Sequence, residues 1–190
     1  MMYNEQIIQS IAQVLLNQRQ TIAVAESVTA GHLQVALASA ENASQFFQGG
    51  ITAYNLGQKA RHLKIEPIHA EGCNCVSEKV AIEMAYEVTR LFSCDWGIAI
   101  TGYAAPVPES SIDELFAYYA ISFQQKLLEV KKIKTEKNDP MKVQVFYVNN
   151  ILTDFQLLLE HQSSFSNSDL NSMNSRFASA GPFNTSPSIE

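Results

Sequence analysis

The chain has 190 residues, of which 46% are hydrophobic, enough for one compact domain with a sizeable core. Its formal net charge of -6, with 13 Lys and Arg against 19 Asp and Glu, argues against nucleic acid as a partner because phosphate backbones attract basic surfaces. No apolar run approaches the roughly 20 residues of a membrane span, and polar residues follow the start too closely for a signal peptide. We therefore expect a cytoplasmic protein that does not bind membranes.

Helices and strands alternate in the first half of the chain. Apolar residues at helical spacing follow Asn4, a residue type favoured at helix N-caps. The predicted elements are, in order, a helix over 4–20, a strand over 21–25, a helix over 30–40, a strand over 51–54 and a helix around Lys59. Residues 26–29 are thus predicted to form a strand-to-helix turn, and the region around Pro67 is predicted to be a loop.

The second half continues the alternation and ends in a hairpin and a helix. Its predicted elements are a helix from Ser77 to about Phe92, a strand over 96–101, a loop over 104–111, paired strands over 116–123 and 128–135, and a helix from Asp139 to near His161. This order favours an α/β fold, a three-layer α/β/α sandwich with a mixed central sheet. The predicted domain covers 1–161, and the Ser- and Asn-rich segment 162–190 is expected to be disordered.

The run A-E-S-V-T-A-G at 25–31 places two hydroxyls where a buried strand gives way to a helix. The start of a helix offers unpaired N–H groups and the positive end of its dipole, so a phosphate or an oxyanion can bind there. Ser27 and Thr29 could add donors to such a site. The alternative interpretation is that one of them simply caps the helix.

Ser44, Tyr54 and Lys59 form a second candidate cluster. A hydroxyl that attacks an amide carbonyl needs a partner that takes its proton, and a neutral lysine or a tyrosinate can do so. The alternative is that Ser44 caps a helix, Tyr54 fills the rim of the core and Lys59 lies at the surface.

Thr101 and Gly102 end the predicted strand over 96–101, and ligands of open α/β sheets bind at the carboxyl ends of strands. The ends of the first three strands therefore carry Ser27, Tyr54 and Thr101. The three cysteines have neither zinc-finger nor C-x-x-C spacing, so we expect no metal. No cofactor is expected either.

Together these positions resemble the CinA carboxy-terminal domain family, the nicotinamide-nucleotide amidases. The resemblance rests on A-E-S-V-T-A-G for the family's A-E-S-C-T-G-G, on the spacing of Phe47, Gly50, Tyr54 and Lys59, on Val76-Ser77-Glu78 and on Thr101-Gly102. It implies hydrolysis of nicotinamide mononucleotide to nicotinate mononucleotide and ammonia, without a metal, on an α/β/α sandwich. A small pyridine nucleotide or a related amide is then the expected partner, and a homo-oligomer is possible.

Carried over residue by residue, the resemblance implies Ser44 as nucleophile, activated by Tyr54 and Lys59, with Ser27 as the alternative nucleophile. The substrate-binding residues that it implies are Glu26, Thr29, Gly31, Thr101 and Gly102.

The sequence departs from the family pattern where a phosphate would be held. The family's G-I-A-G-P-x-G-G loop reads G-Y-A-A-P-V-P-E from Gly102, so Glu109 is expected to face the phosphate. A lysine of the family is replaced within 112–115, and its arginine is replaced by Pro140. Two hypotheses follow: an amidase, whose substrate lacks the phosphate or is held differently, or a non-catalytic homologue that binds a ligand or a partner.

Overall fold

The computed structural model describes residues 2–110 and 112–178, and for residues 110 and 163–178 it describes the backbone alone. The chain divides into two compact units, Met1–Gln156 and Leu157–Glu190. The first unit contains the sheet and the candidate site. The helices are α1 (Glu5–Gln18), α2 (His32–Ala38), α3 (Leu56–Leu63), α4 (Pro67–Gly72), α5 (Glu78–Phe92) and α6 (Pro140–Ala178). The strands are β1 (Ile22–Glu26), β2 (Phe47–Thr52), β3 (Trp96–Gly102), β4 (Leu115–Phe123) and β5 (Lys126–Thr135).

The sheet of the described chain has five strands in the order β2-β1-β3-β4-β5. β1 pairs in parallel with both β2 and β3, whereas β4 runs antiparallel to β3 and to β5. The predicted mixed sheet with a terminal hairpin is confirmed. From β1 the chain crosses to β2 on one side and then to β3 on the other, so the direction of winding changes between β1 and β3.

Helices cover both faces of the sheet, which confirms the three-layer prediction. Ala23, Ala25 and Ala99 belong to the core cluster that includes the apolar face of α5. Because side chains alternate across a strand, their neighbours point to the opposite face. There the Trp96 ring lies 5.0 Å from the Phe155 ring of α6, and Gln156 of α6 donates to the Ser10 hydroxyl of α1 at 3.2 Å.

Local capping explains where the helices begin. Asn4 accepts a hydrogen bond from the Ile7 N–H at 3.3 Å, and Ser77 accepts one from the Val80 N–H at 3.2 Å, as both residue types suggest. The loop predicted around Pro67 is wrong, because Pro67 is the first residue of the short helix α4. Its N-cap Glu66 accepts from two N–H groups, which completes a favourable start with proline at N1.

Two other element boundaries differ from the predictions. β2 begins at Phe47, so the glycines at 49 and 50 lie inside the strand rather than before it. α6, expected to end near His161, continues to Ala178. The Ser and Asn residues of this segment carry only small helix penalties, and neither Gly nor Pro interrupts it. Residues 179–190 lie outside the described residues, and disorder there stays a prediction.

Within the described residues, no helix combines the length and the apolar character needed to cross a membrane.

Candidate active site

A cavity of about 480 Å³ opens at the carboxyl ends of the parallel strands. Ser27 follows β1, Tyr54 follows β2, and Thr101 and Gly102 end β3; all four line the cavity. The site lies at the change in winding between β1 and β3, which is where open α/β sheets bind ligands. The predicted convergence of three strand ends is therefore present in the structure.

A buried hydrogen bond in the cavity joins the side chains of Ser27 and Lys59. Lys59 Nζ lies 2.9 Å from Ser27 Oγ and 2.9 Å from the carbonyl oxygen of Ala53. Both side chains are almost completely buried, with 1% of Lys59 and 7% of Ser27 exposed. An amine and a hydroxyl at this distance can exchange a proton in either direction.

The start of α3 explains why a lysine is buried here. Asn55 caps the helix by accepting from the Gln58 N–H at 3.0 Å, which fixes the direction of the first turn. Lys59 then lies one turn before Leu63 on the same face, and both residues are buried. Burial lowers the pKa of the Lys59 amine below that of an ordinary lysine, because a charged group loses hydration there. A larger fraction of Lys59 is therefore in the neutral form that base catalysis requires than for an exposed lysine.

Tyr54 also lines the cavity, but the residue is 71% exposed. None of the hydrogen bonds found among the described residues joins Tyr54 to Ser27 or Lys59. The structure thus places Tyr54 at the exposed mouth of the cavity, without a hydrogen bond to Ser27 or Lys59.

The expected grouping of Ser44 with Tyr54 and Lys59 in one cleft is wrong. Ser44 is exposed and lies in a 3-10 turn (Ala43–Gln45) that precedes β2, whereas Tyr54 follows the same strand. The six residues of β2 separate the two positions by about 20 Å at roughly 3.3 Å per residue. Ser44 therefore belongs to the amino-terminal edge of the sheet, opposite the cavity.

The start of α2 is not open to an anion, because the Glu26 carboxylate already occupies it. This buried side chain accepts hydrogen bonds from the N–H groups of Gly31, Leu33 and Gln34 at 3.2, 3.0 and 2.9 Å. Gly31 has φ of +107°, which favours glycine and lets the turn close onto Glu26. The structure thus gives Glu26 and Gly31 the geometry of a helix cap, and neither residue lines the cavity.

Thr29 is likewise removed from the cavity. Its side chain is fully buried, and its hydroxyl oxygen has no hydrogen-bond partner within the described part of the chain. The run at 25–31 therefore divides into two parts. Ser27 faces the cavity, while Glu26, Thr29 and Gly31 form the turn behind it.

Thr101 and Gly102 line the cavity as predicted, and both also hold its frame together. The Thr101 hydroxyl donates to the Cys75 carbonyl oxygen at 2.7 Å, and this hydrogen bond links the end of β3 to the segment after α4. A Cβ on Gly102 would lie 2.4 Å from the Phe116 carbonyl oxygen, so no other residue fits between β3 and β4 without a shift.

The family model of the CinA C-terminal domain matches residues 4–158, most of the chain. The chain belongs to the CinA C-terminal domain family. A CinA-like protein from Synechocystis sp. is 42% identical over 104 residues, which are 54% of this chain and 25% of that protein. The alignment thus spans about a quarter of the length of that curated relative.

Solved structures of CinA superfamily proteins have the same fold. One from Enterobacter cloacae is 27% identical with a TM-score of 0.77, over 82% of this chain and 91% of the other. One from Escherichia coli is 28% identical with a TM-score of 0.74, over 82% of this chain and 88% of the other. These likenesses support the mixed α/β fold described above.

The cavity contains residues that sequence reasoning missed. Asn74 Nδ2 donates to the Tyr103 hydroxyl at 3.1 Å, and Gln144 of α6 reaches the Val28 carbonyl oxygen at 2.8 Å. Tyr103 directly follows the predicted strand end, so its position was a usable signal. For Asn74 and Gln144 the sequence contains no such signal, because both residues reach the cavity from segments that are distant in sequence.

The sequence predicts a loss of positive side chains near the cavity, but not which charged residues line it. Of the described residues that line it, Lys59 is the sole Lys, Arg or His and Glu71 the sole carboxylate. Glu109, expected to face a phosphate, lies in a 3-10 turn (Pro108–Ser110) and does not line the cavity. Within the described residues, His, Cys, Asp and Glu side chains form no group of three that could hold a metal ion.

Proposed function

We propose that this CinA-family protein is an amidohydrolase in which Ser27 is the nucleophile and Lys59 is the general base. One observation carries the proposal: the two side chains lie 2.9 Å apart, almost completely buried, at the carboxyl ends of the parallel strands. The lowered pKa of Lys59 supports it, because a base must be neutral before it can take a proton. Nicotinamide nucleotides and related carboxamides are the candidate substrates, as the family resemblance implies.

The reaction would proceed through an acyl-enzyme. Ser27 Oγ forms a bond to the carboxamide carbon while its proton moves to the neutral Lys59 amine. The carbon–nitrogen bond then breaks, and the Lys59 ammonium returns the proton to the departing nitrogen, which leaves as ammonia. Water next attacks the ester and passes a proton through Lys59 back to Ser27, so that the products are a carboxylic acid and ammonia.

The oxyanion of the tetrahedral intermediate needs hydrogen-bond donors, and Val28 is the nearest candidate in sequence. Val28 lines the cavity beside Ser27, and its N–H has no acceptor among the described residues. The Ser27 N–H, in contrast, donates to the Ile100 carbonyl oxygen at 3.1 Å. A donor that is free in the resting protein costs no rearrangement when charge develops on the substrate.

The Cys75 thiol also lines the cavity, but it suits catalysis less well than the Ser27 hydroxyl. Burial raises the pKa of the Cys75 thiol, whereas the thiolate is the attacking form. Its carbonyl oxygen is also held by the Thr101 hydroxyl. Cys75 is therefore assigned to the wall of the cavity.

A second candidate function is ligand binding without catalysis. It is favoured by the second hydrogen bond of Lys59, because an amine that donates to the Ala53 carbonyl oxygen at 2.9 Å also suits a lysine with a purely structural role. Such a protein would bind a carboxamide and release it unchanged.

Ammonia release from purified protein separates the two candidates. Wild-type protein is incubated with nicotinamide mononucleotide, nicotinamide riboside and simple aromatic carboxamides, alongside the variants Ser27→Ala and Ser44→Ala. The proposal expects turnover of at least one compound, its loss in Ser27→Ala, and rates within about twofold of wild type in Ser44→Ala. Binding without turnover of any compound by the wild type would establish the second candidate instead.

A further inference from the structure

Resting on the proposed function, we infer that the substrate of this chain carries no phosphate or other anionic group: the cavity takes a neutral or singly positive carboxamide. The inference concerns what the cavity binds and can be tested apart from catalysis. It follows from the charges and the hydrogen-bond donors around the cavity.

The cavity offers no free cation among its described lining residues. Lys59 is the sole positive side chain there, and its amine already contacts Ser27 Oγ and the Ala53 carbonyl oxygen. A phosphate would instead lie near Glu71, the one acidic residue among the described residues that line the cavity. Phosphate sites in proteins normally depend on Arg or Lys side chains with charge-assisted hydrogen bonds, which are lacking here.

Helix N-termini are the other common source of phosphate donors, and those near this cavity are already capped. At the start of α6, Pro140 lines the cavity but has no N–H, and the Asp139 carboxylate accepts from the Met141 N–H at 3.0 Å. At the start of α3, the Asn55 side chain accepts from the Gln58 N–H at 3.0 Å. The start of α6 therefore lacks one N–H and has another bonded to a carboxylate, and the start of α3 has one of its donors occupied.

The loop after β3 is also unsuited to an anion. Its residues Ala104–Val107 line the cavity with apolar side chains and add no charged donor. Of its backbone N–H groups, those of Ala104 and Ala105 alone lack an acceptor among the described residues, and Pro106 has no N–H. The Tyr103 N–H donates to the Phe116 carbonyl oxygen at 2.8 Å and the Val107 N–H to that of Ile112 at 2.9 Å. Both ends of the loop therefore have their donors satisfied within the protein.

What remains in the cavity suits an uncharged or cationic aromatic amide. The Tyr103 hydroxyl, the Asn74 amide and the Gln144 amide are neutral polar groups, and burial raises the pKa of Tyr103 so that it stays neutral. The exposed ring of Tyr54 at the mouth can stack on a flat ring, and a cationic ring gains most from such a face. Glu71 would attract the same positive charge.

Nicotinamide riboside and nicotinamide mononucleotide form a matched pair of probes, because they differ by one phosphate. Their dissociation constants are measured by titration calorimetry with Ser27→Ala, which removes turnover, and kcat/KM is measured with wild type. Each charge-assisted hydrogen bond to a phosphate typically strengthens binding about tenfold or more. Because the cavity supplies none, a bound phosphate would lose hydration without compensation and would lie near the acidic residue Glu71. We therefore expect the riboside to be favoured at least tenfold in both measurements.

The outcomes separate the two claims. If Ser27→Ala binds the riboside at least tenfold more tightly but wild type hydrolyses neither compound, the amidase proposal fails and the inference stands. If the mononucleotide binds as tightly or more tightly, or if neither compound binds, the inference is overturned whatever the activity.

A charge reversal in the cavity provides the internal control. Glu71→Lys replaces the lining carboxylate with a cation and should strengthen mononucleotide binding at least tenfold while weakening riboside binding. Glu41→Lys makes the same change in charge at an exposed position that does not line the cavity. Equal effects of the two variants would show a general charge effect and would overturn the role of Glu71.

Discussion

Replacing Lys59 with methionine tests the proposed base most specifically, because the substitution keeps an unbranched side chain and removes the amine. The amine makes two hydrogen bonds of 2.9 Å, to Ser27 Oγ and to the Ala53 carbonyl oxygen. Their loss costs about 1 kcal/mol each, and the variant is also relieved of burying an amine. The net change in the free energy of unfolding should therefore stay within about 2 kcal/mol, and the variant should fold.

The loss of activity should be far larger than the loss of stability. A positioned general base typically contributes about 10²–10⁴-fold, which corresponds to about 2.7–5.5 kcal/mol in activation free energy. We expect kcat of Lys59→Met to fall by that factor with KM nearly unchanged. Wild-type kcat should also rise with pH as Lys59 loses its proton, with a midpoint below the 10.5 of an ordinary lysine because burial lowers its pKa.

The assay is continuous ammonia release across pH, with circular dichroism to confirm folding. Lys79→Met is the matched control, because Lys79 is an exposed lysine on α5 that pairs with Glu83 and does not line the cavity. The reasoning is refuted if folded Lys59→Met retains more than a tenth of wild-type kcat. An identical pH profile in the two proteins would refute it as well.

Three further predictions concern stability and can be measured by chemical denaturation. Glu26→Ala should destabilise the protein by about 2 kcal/mol or more, because three backbone N–H groups lose their acceptor, whereas exposed Glu41→Ala should change stability little; equal effects would contradict the capping role. Gly102→Ala should cost about 1–3 kcal/mol through the clash with the Phe116 carbonyl oxygen, and an unchanged denaturation midpoint would contradict that packing. Finally, Lys59 in the unfolded chain keeps its proton up to a pH of about 10.5, whereas in the folded chain it loses the proton at a lower pH. The stability of wild type relative to Lys59→Met should therefore rise with pH between the two pKa values. A stability difference that falls with pH would contradict the lowered pKa of Lys59.

The layered fold could be predicted because its local signals agree. β1 and β3 are short apolar runs between amphipathic helices, and Asn4 and Ser77 stand where their side chains can cap a helix. The end of α6 could not be predicted in the same way. Residues 162–178 have no apolar periodicity, and nothing in them stops a helix either.

The candidate site could be predicted in part. Ser27, Tyr54 and Thr101 were found because residues that follow parallel strands meet at one edge of the sheet. Ser44 was misplaced because the family resemblance gave it the role of nucleophile, while the extended strand β2 carries the chain across the sheet between Ser44 and Tyr54. The cap role of Glu26 was hidden because the turn that brings its carboxylate back to α2 depends on the left-handed backbone at Gly31.

From the sequence, the charge of the cavity could be anticipated only as a loss of positively charged side chains. The sequence shows that family cations are replaced, but it does not show which carboxylate then lines the cavity. Glu71 reaches the site from α4, an element that the sequence did not predict, whereas Glu109 does not line it.

Trapping the acyl-enzyme tests the central claim most directly. A turned-over carboxamide is mixed with wild-type protein, the reaction is quenched in acid within milliseconds, and the peptides are analysed by mass spectrometry. The account predicts an acyl group on Ser27, absent from Ser27→Ala and accumulating less in Lys59→Met. An acyl group on Ser44 or Cys75, or turnover that persists in Ser27→Ala, would contradict it.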